Sequence, residues 1–452
     1  MKCLLACAFF VNLGAKSSTF SSSYTLQEAI SAATLNDPWL VQSRQQQDKL
    51  EALSISAGTL PDPVVNIGLA NLPIDTFDLN QEPMTQVKLG VSQMFPRGSA
   101  RRLQREKFAR LSQAQPIERA DRIAQASLIV TQLWLDAYQS KSIIAMIEKD
   151  RHLFTKLIEL TESMYTTTAG ITRQKDVIRA QVELTKLDDR LQMLEQEHET
   201  NLAKLSEWLP GTDIAVQAQE IPDLKIVHLN MLQNTDAGRQ HDVLARLLTE
   251  HPRIKIIDQM LRASQSDIQL SKQAYKPQWG INASYGYRDS DPQGMDRSDF
   301  FSAGVSMDVP LFNRNRQDQQ VKAAVADREI LRTKRVLALR QLRSQLLEAS
   351  AENESLEERK ILFKTRLIPN VEQQNEAVLS AYTNDDGDFE EVVRAQIALL
   401  DARIDMIRIE TNLQKSIAQL NYFLIGTVSD TLLQTSKPNN NTAISLESYN
   451  GK

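Results

Sequence analysis

Two short stretches of this chain concentrate ionisable side chains. Asp385, Asp386, Asp388, Glu390 and Glu391 crowd around Gly387 against a single Arg394, whereas Arg173, Lys175 and Arg179 follow Gly170 against a single Asp176. Clustered carboxylates attract cations and repel anions, and two runs of opposite sign can bind one another. Taken alone, either run reads most simply as a solvated hairpin tip. Bond-making chemistry finds less support. The five histidines (His152, His198, His228, His241 and His251) are scattered without ligand spacing, and no HExxH, GxSxG or P-loop pattern occurs. No catalytic residue, metal site or cofactor is therefore expected, and no enzyme. "DSDPQG", Asp289 to Gly294, has a faint likeness to a calcium loop but lacks the closing glutamate, which leaves a surface loop.

The elements that would position these charges are written twice. Gly90 and Gly304 are 214 positions apart, as are Pro96 and Pro310, Pro63 and Pro277, and Pro38 and Pro252. Gly170 answers Gly387 at an offset of 217, "VIRAQ" from Val177 answers "VVRAQ" from Val392 at 215, and Leu209 and Gly211 answer Leu424 and Gly426 at 215. The chain is one structural unit repeated, with small insertions near the two glycine tips. The first repeat spans 25–211 and the second 241–426, with 212–240 between them and a polar tail at 427–452.

Glycine is absent between Gly98 and Gly170, between Gly170 and Gly211, between Asn313 and Gly387, and between Gly387 and Gly426. Those spans are rich in Ala, Leu, Gln, Glu, Lys and Arg, and they predict long helices. At about 1.5 Å per residue the longest would extend roughly 100 Å if straight, which calls for antiparallel coiled-coil pairing with tips near 170 and 387. Pro116 and Pro369 are expected to kink or break the two longest spans.

Four short segments alternate instead. Val65, Ile67 and Leu69 oppose Asn66 and Gly68; Val87, Leu89 and Val91 oppose Lys88, Gly90 and Ser92. In the second repeat Trp279, Ile281, Ala283, Tyr285 and Tyr287 oppose Gly280, Asn282, Ser284, Gly286 and Arg288, and then Phe301, Ala303, Val305, Met307 and Val309 oppose Ser302, Gly304, Ser306 and Asp308. Two hairpins, at 64–95 and 278–310, each with one apolar and one polar face, follow from this period of two. The same alternation suits a water-soluble sandwich or an outer-membrane barrel. Four strands are too few to close a barrel, so copies of the chain would have to share one.

With 57 acidic against 52 basic residues and no basic stripe, a nucleic-acid partner is not expected. No apolar run reaches the length of a transmembrane helix, so a membrane role would need strands. "MKCLLACAFFVNLGAKSS" reads as a signal peptide ending at Ala15, so that 1–15 would be removed. A rival takes "LLAC" as a lipidation signal on Cys7, with only six residues before it. Both cysteines, Cys3 and Cys7, lie in this segment.

Together these features resemble the TolC-like outer-membrane efflux proteins, the exit ducts of tripartite pumps. The resemblance runs from "TLQEAISAATLNDP", Thr25 to Pro38, to about Gly426, and rests on that opening, on "YTTTAGITRQKDVIRAQVEL" from Tyr165, and on "LIPNVEQQNEAVLSAY" from Leu367 running on to "FEEVVRAQIALL" from Phe389. It implies a mainly α fold with a β-barrel part. Long coiled-coil helices would form a periplasmic α-barrel, and four strands per protomer would enter a 12-stranded barrel shared by a homotrimer. It implies a passive duct in the outer membrane of a Gram-negative cell, in contact with lipid and fed by a periplasmic adaptor and an inner-membrane transporter. Residues 212–240 would join an equatorial belt.

The resemblance also implies roles. Asp385, Asp386, Asp388, Glu390, Glu391 and Arg394 would line the periplasmic aperture, with Arg173, Lys175 and Arg179 as latch partners. Many relatives carry an acidic residue where this chain has Arg394 before Ala395, so the gating pair does not transfer directly. Ala169, Gly170, Ile171 and Gly387 would meet the adaptor. Asn66, Lys88, Ser92, Asn282, Ser284, Arg288 and Ser306 would face a wet lumen. Two alternatives stand beside this reading: a soluble periplasmic coiled-coil scaffold without a pore, and a duct specialised for heavy-metal ions such as copper. Met84, Met94, Met295 and Met307 near the strands prompt the second, although thioether ligands would need closer spacing.

Overall fold

The structure is a computed structural model that describes residues 22–167, 174–211, 214–217, 220–227, 246–312, 315–384 and 388–425, and of residues 153, 157–158, 160–167 and 174–177 the backbone alone. The expected leader at 1–15 with Cys7, the tip residues Ala169, Gly170, Ile171, Arg173, Asp385, Asp386 and Gly387, much of 212–240 and the tail at 427–452 lie outside the described residues.

In chain order the elements are β1 (Ser22–Tyr24), α1 (Leu26–Leu35), α2 (Pro38–Ala57), β2 (Val64–Ala70), β3 (Gln86–Phe95), α3 (Ala100–Thr167), α4 (Gln174–Leu205) and β4 (Ile214–Val216). Then come α5 (Pro252–Lys272), β5 (Gln278–Tyr287), β6 (Phe300–Asp308), α6 (Gln317–Leu362), a π-helical turn at Phe363–Leu367, α7 (Ile368–Thr383) and α8 (Phe389–Phe423). The glycine-free spans are helical. "TLQE" opens α1 as a capping box, Thr25 accepting from the Glu28 amide while the Glu28 carboxylate accepts from the Thr25 amide.

The expected break at Pro116 does not occur, since α3 runs through it. A helix-interior proline costs about 3 kcal/mol, and polar contacts to α2 hold the surrounding turns in place. Ser43 donates to the buried Gln115 side chain (3.0 Å) and Ser112 donates to Glu51 (3.0 Å). Pro369 does mark an interruption: it sits in the first turn of α7, directly after the π turn.

The two compact units are not the two repeats. One gathers 1–37, 125–226 and 349–420, the other 38–124, 227–348 and 421–452, so each takes pieces from both halves. Within the first unit, α3 and α4 of the first repeat pack with each other and with α8 of the second.

The first unit is mainly helical, and among its described residues three apolar clusters form, the smallest of Leu356, Ile409, Leu413 and Ile417. Ile143, Ile147 and Phe154 of α3 pack with Leu187 and Leu194 of α4 and with Val392, Leu400 and Ile404 of α8. The recurrence at four and seven residues is the seam of paired long helices. In the second cluster Trp134, 1% exposed, sits among Leu26, Ala29, Val130, Leu205 and Leu209 and donates its indole N–H to the Tyr24 carbonyl (3.0 Å). That carbonyl belongs to β1, which pairs in parallel with β4, Ser22 opposite Ile214 and Tyr24 opposite Val216.

The second unit holds an antiparallel sheet in the order β2-β3-β5-β6. Its helix-proximal end is tied to the turn that follows α5: Arg97 donates to the Lys276 carbonyl (2.7 Å) and pairs with Asp308 at the end of β6, and the Ser99 amide donates to the Gln273 side chain (3.0 Å). Between them Gly98 has φ +46°, and a Cβ there would come within 2.5 Å of Gln273 and Lys276, so the strand-to-helix turn after Pro96 requires glycine on both counts.

Candidate functional site

The register of the sheet sorts its side chains onto two faces. Asn66, Gly90 and Ser284 form one row and Ser92, Asn282 and Gly304 the next; Lys88 stands opposite Gly68 and Gly286, and Ser306 opposite Gly280. With Arg288 one step beyond Gly286 in the same phase, all seven residues expected to face water share this side. It is a cleft lined by Asn66, Lys88, Ser92, Asn282 and Ser284, with glycines between them.

Arg288 differs from that expectation in one respect. Its guanidinium lies 3.9 Å from the Phe300 ring centre and donates to the Ser298 (2.7 Å) and Pro83 (3.1 Å) carbonyls, while Arg297 donates to the Glu82 carbonyl (3.0 Å). It braces the loops at 71–85 and 288–299 against each other, because a planar cation satisfies several carbonyls and an aromatic face at once.

The opposite face is apolar and uncovered. Its rows read Val65, Val91, Ala283, Ala303; then Ile67, Leu89, Tyr285, Phe301; then Phe95, Trp279, Met307. Ile67 is 77% exposed, Phe301 73% and Val305 68%. Among the described residues, strands β2 and β6 are each paired on one side only. Long apolar edge strands with an apolar face are a liability in water, where they invite pairing with further strands.

The four methionines do not converge. Met94 opposes Gly280 on the polar face, Met307 opposes Trp279 on the apolar one, and Met84 and Met295 are exposed loop residues. Among the described residues no group of three His, Cys, Asp or Glu could hold a metal, and no helix is long and apolar enough to cross a membrane.

The charged runs near the helix ends do meet where they are described. Glu390 of α8 is held from both sides, by Arg179 of α4 (2.5 Å) and by Arg394 one turn on in its own helix (2.5 Å). Asp388 caps α8, accepting from the Glu390 amide (3.2 Å), and Glu391 lies exposed in the first turn, where both carboxylates suit the positive end of the helix. Lys175 is in α4, with only its backbone described. Farther along the same helices Arg190 pairs with Asp401 (2.7 Å), and Arg403 pairs with Glu372 of α7 (2.8 Å).

Two buried ionisable groups had no part in the reading of the sequence. Asp150 is 4% exposed, and one of its carboxylate oxygens has no partner; burial pushes its pKa up, against the pull of Arg403 and Lys149. His251 is fully buried at the head of α5, where Nδ1 accepts from the Arg253 amide (3.2 Å), Nε2 contacts the Tyr422 carbonyl (3.3 Å), and burial lowers its pKa to about 4. Its signal was legible: a residue able to accept a hydrogen bond, directly before Pro252, is how a helix begins.

Residues 243–427 match the family model of the outer membrane efflux protein. No curated protein matches the chain. Among solved structures, CusC, described in terms of folding and transmembrane channel formation, superposes with a TM-score of 0.74 at 15% identity over 90% of this chain and 93% of its own. The CmeC outer membrane channel of Campylobacter jejuni gives 0.71 at 12% over 91% and 89%. The outer membrane protein VceC of Vibrio cholerae gives 0.67 at 15% over 88% and 95%. At these identities the likeness is one of fold, and it extends over nearly the whole length of each chain.

Proposed function

We propose that this chain, whose residues 243–427 belong with the outer membrane efflux proteins, is the outer-membrane channel of a tripartite efflux system: a passive duct that accepts substrates from an inner-membrane transporter through a periplasmic adaptor. The observation that carries the reading is the sheet. Four antiparallel strands present a polar concave face, an exposed apolar face and two unpaired edges. Lipid suits the apolar face, water the polar one, and strands of further copies the edges. The order β2-β3-β5-β6 alternates in direction, so β6 of one copy meets β2 of the next antiparallel, and a ring closes without a mismatch. Three copies give twelve strands, an even number as such barrels require.

In this duct the acidic run from Asp385 to Glu391 stands at the periplasmic aperture, and Arg179 is the latch partner that the ion pair with Glu390 supports. Arg173 and Lys175 remain candidates for the same role, and Ala169, Gly170, Ile171 and Gly387 for contact with the adaptor. Residues 212–240 belong to the equatorial belt, and 1–15 to a secretory leader.

The native mass of the full chain extracted from outer membranes, with bound detergent subtracted, tests the reading. A detergent-dependent trimer is expected. A monomer or dimer that stays soluble without detergent would overturn it and favour a periplasmic scaffold.

A further inference from the structure

The polar face of the sheet carries very little charge. Between Val64 and Asp308 its in-strand residues are Asn, Gln, Ser, Gly, Ala, Val, Met and Phe, with two ionisable side chains, Lys88 and Asp308. Asp308 is at the helix end of the sheet and is paired with Arg97. Among the described residues Lys88 has no such partner, and the register explains why. The positions directly opposite it are Gly68 on β2 and Gly286 on β5, neither of which has a side chain. Its diagonal neighbours on the same face are Asn66 and Ala70 on one side and Ser284 and Arg288 on the other, and along its own strand they are Gln86 and Gly90. None is acidic, and the nearest charge in the register is a second cation.

The glycines do more than remove partners. A Cβ placed on Gly68 would meet nothing within 4 Å, so the space on the β2 side of Lys88 is open, while on the β5 side the neutral Gln86 side chain lies over Gly286. Lys88 is exposed and lines the cleft on the polar face. Arg288 is the opposite case: the Ser298 and Pro83 carbonyls and the Phe300 ring occupy it, and Asp299 accepts from its backbone amide (2.9 Å), which sets a carboxylate against it. The exposed, uncompensated charge on this face belongs to Lys88.

We infer that Lys88 sets the charge preference of the β-lined section of the duct, favouring anionic solutes over cations of equal size. The inference rests on the channel reading proposed above and adds a substrate class to it. In a closed ring of three copies, three ammonium groups stand at one level of the lumen. Screening confines their field to roughly 8 Å at physiological salt, and three such charges at about that distance enrich anions ~2-fold to 3-fold and deplete cations by a similar factor, so that their ratio changes ~5-fold to 10-fold. The duct then has ends of opposite sign, a basic ring in the barrel and the proposed acidic aperture at Asp385–Glu391. Solutes of either charge meet one attractive and one repulsive section, and the barrel section discriminates against cations.

The test is the reversal potential of the full-length protein in planar lipid bilayers under a tenfold KCl gradient, compared across variants so that the constant contribution of the aperture cancels. Lys88→Gln should lower the chloride-to-potassium permeability ratio ~5-fold to 10-fold, and Lys88→Glu should lower it further. Lys88→Arg should leave it unchanged, and all differences should shrink at 1 M salt, where the screening length is about 3 Å. Lys88→Gln removes charge without adding any, so the comparison survives if the glutamate variant fails to assemble. Pores that conduct with the same reversal potential in wild type and Lys88→Gln would overturn the inference and leave the channel reading intact. Absence of any conductance from the detergent-extracted trimer would overturn both.

Discussion

The helical unit and the sheet treat their apolar residues in opposite ways. Around Trp134 and along the α3–α4–α8 seam the chain covers its own hydrophobic side chains: Trp134, Leu135, Ile143, Ile147, Leu400 and Ile404 are at most 1% exposed. On the sheet Ile67, Phe301 and Val305 are left more than two-thirds uncovered, although the alternation that places them is as regular as any in the chain. One region completes its hydrophobic effect within a single copy. The other leaves it incomplete in a single copy, and under the proposed channel reading lipid completes it.

The contrast breaks most visibly at Trp134. Replacing it with alanine removes a buried aromatic and the donor to the Tyr24 carbonyl, which should cost about 3–5 kcal/mol and lower the thermal midpoint of the helical signal in circular dichroism. Ile67→Ala on the sheet, where a single copy has no cavity to create, should leave that midpoint within the error of measurement. Equal losses from the two substitutions would mean that the sheet face is covered by protein and not by lipid.

Ile67→Arg sharpens the same comparison from the other side. A cation on the lipid face of a barrel strand costs about 2–4 kcal/mol near the bilayer midplane and much less near the interface. The expected result is loss of the protein from the outer-membrane fraction, while Ser284→Arg on the polar face is tolerated. If both arginines are tolerated, the apolar face does not meet hydrocarbon.

A third difference is one of pH. His251 is held neutral by burial, with its pKa lowered from 6.5 to about 4. Because the folded-state value is depressed, its contribution to stability is complete above pH 6.5 and is lost as the pH falls toward 4. The loss is on the order of 3 kcal/mol. Melting followed between pH 7 and pH 4 should show this decline in the wild type and a flatter profile in His251→Asn, which keeps an acceptor at the head of α5. Asp150 works in the opposite sense. Its raised pKa means that ionisation is resisted in the folded state, so stability falls as the pH rises through that range, and Asp150→Asn should help at neutral pH and not in acid.

Much of the architecture was written in local patterns. Long spans without glycine gave the helices, and a period of two gave all four strands with the correct faces, since both signals repeat over many residues. Pro116 does not break α3, because proline's cost is local while the helix is held by contacts on either side, among them the Ser43–Gln115 and Ser112–Glu51 hydrogen bonds. The β1–β4 pair was missed because three residues are too few to show alternation, and its partners are nearly 200 positions apart. At the sites, the sequence named opposite charges but could not say which would touch. Arg179 and Glu390 are joined only once α4 and α8 pack side by side. Arg288 shared its phase with the water-facing residues, and only its contacts revealed it as a brace.

The smallest effect concerns that ion pair. Arg179 is about half exposed and Glu390 a quarter exposed, so the link should be worth only about 0.2–1 kcal/mol to the stability of one copy. In the proposed trimeric duct its consequence for passage would be larger, because a closed aperture is an equilibrium between states, and three identical links would be broken together when it opens. At about 0.5 kcal/mol each, losing all three would shift that equilibrium roughly tenfold. Glu390→Ala and Arg179→Ala should therefore leave the melting midpoint almost unmoved while raising the leak of a bulky antibiotic into cells that carry them. Arg179→Glu with Glu390→Arg, which restores opposite charges, should recover the barrier in part. The swap also separates the two partners of Glu390: if Arg394 alone holds it, Arg179→Ala will do nothing, and the pair between the hairpins will be a surface contact without a part in closure.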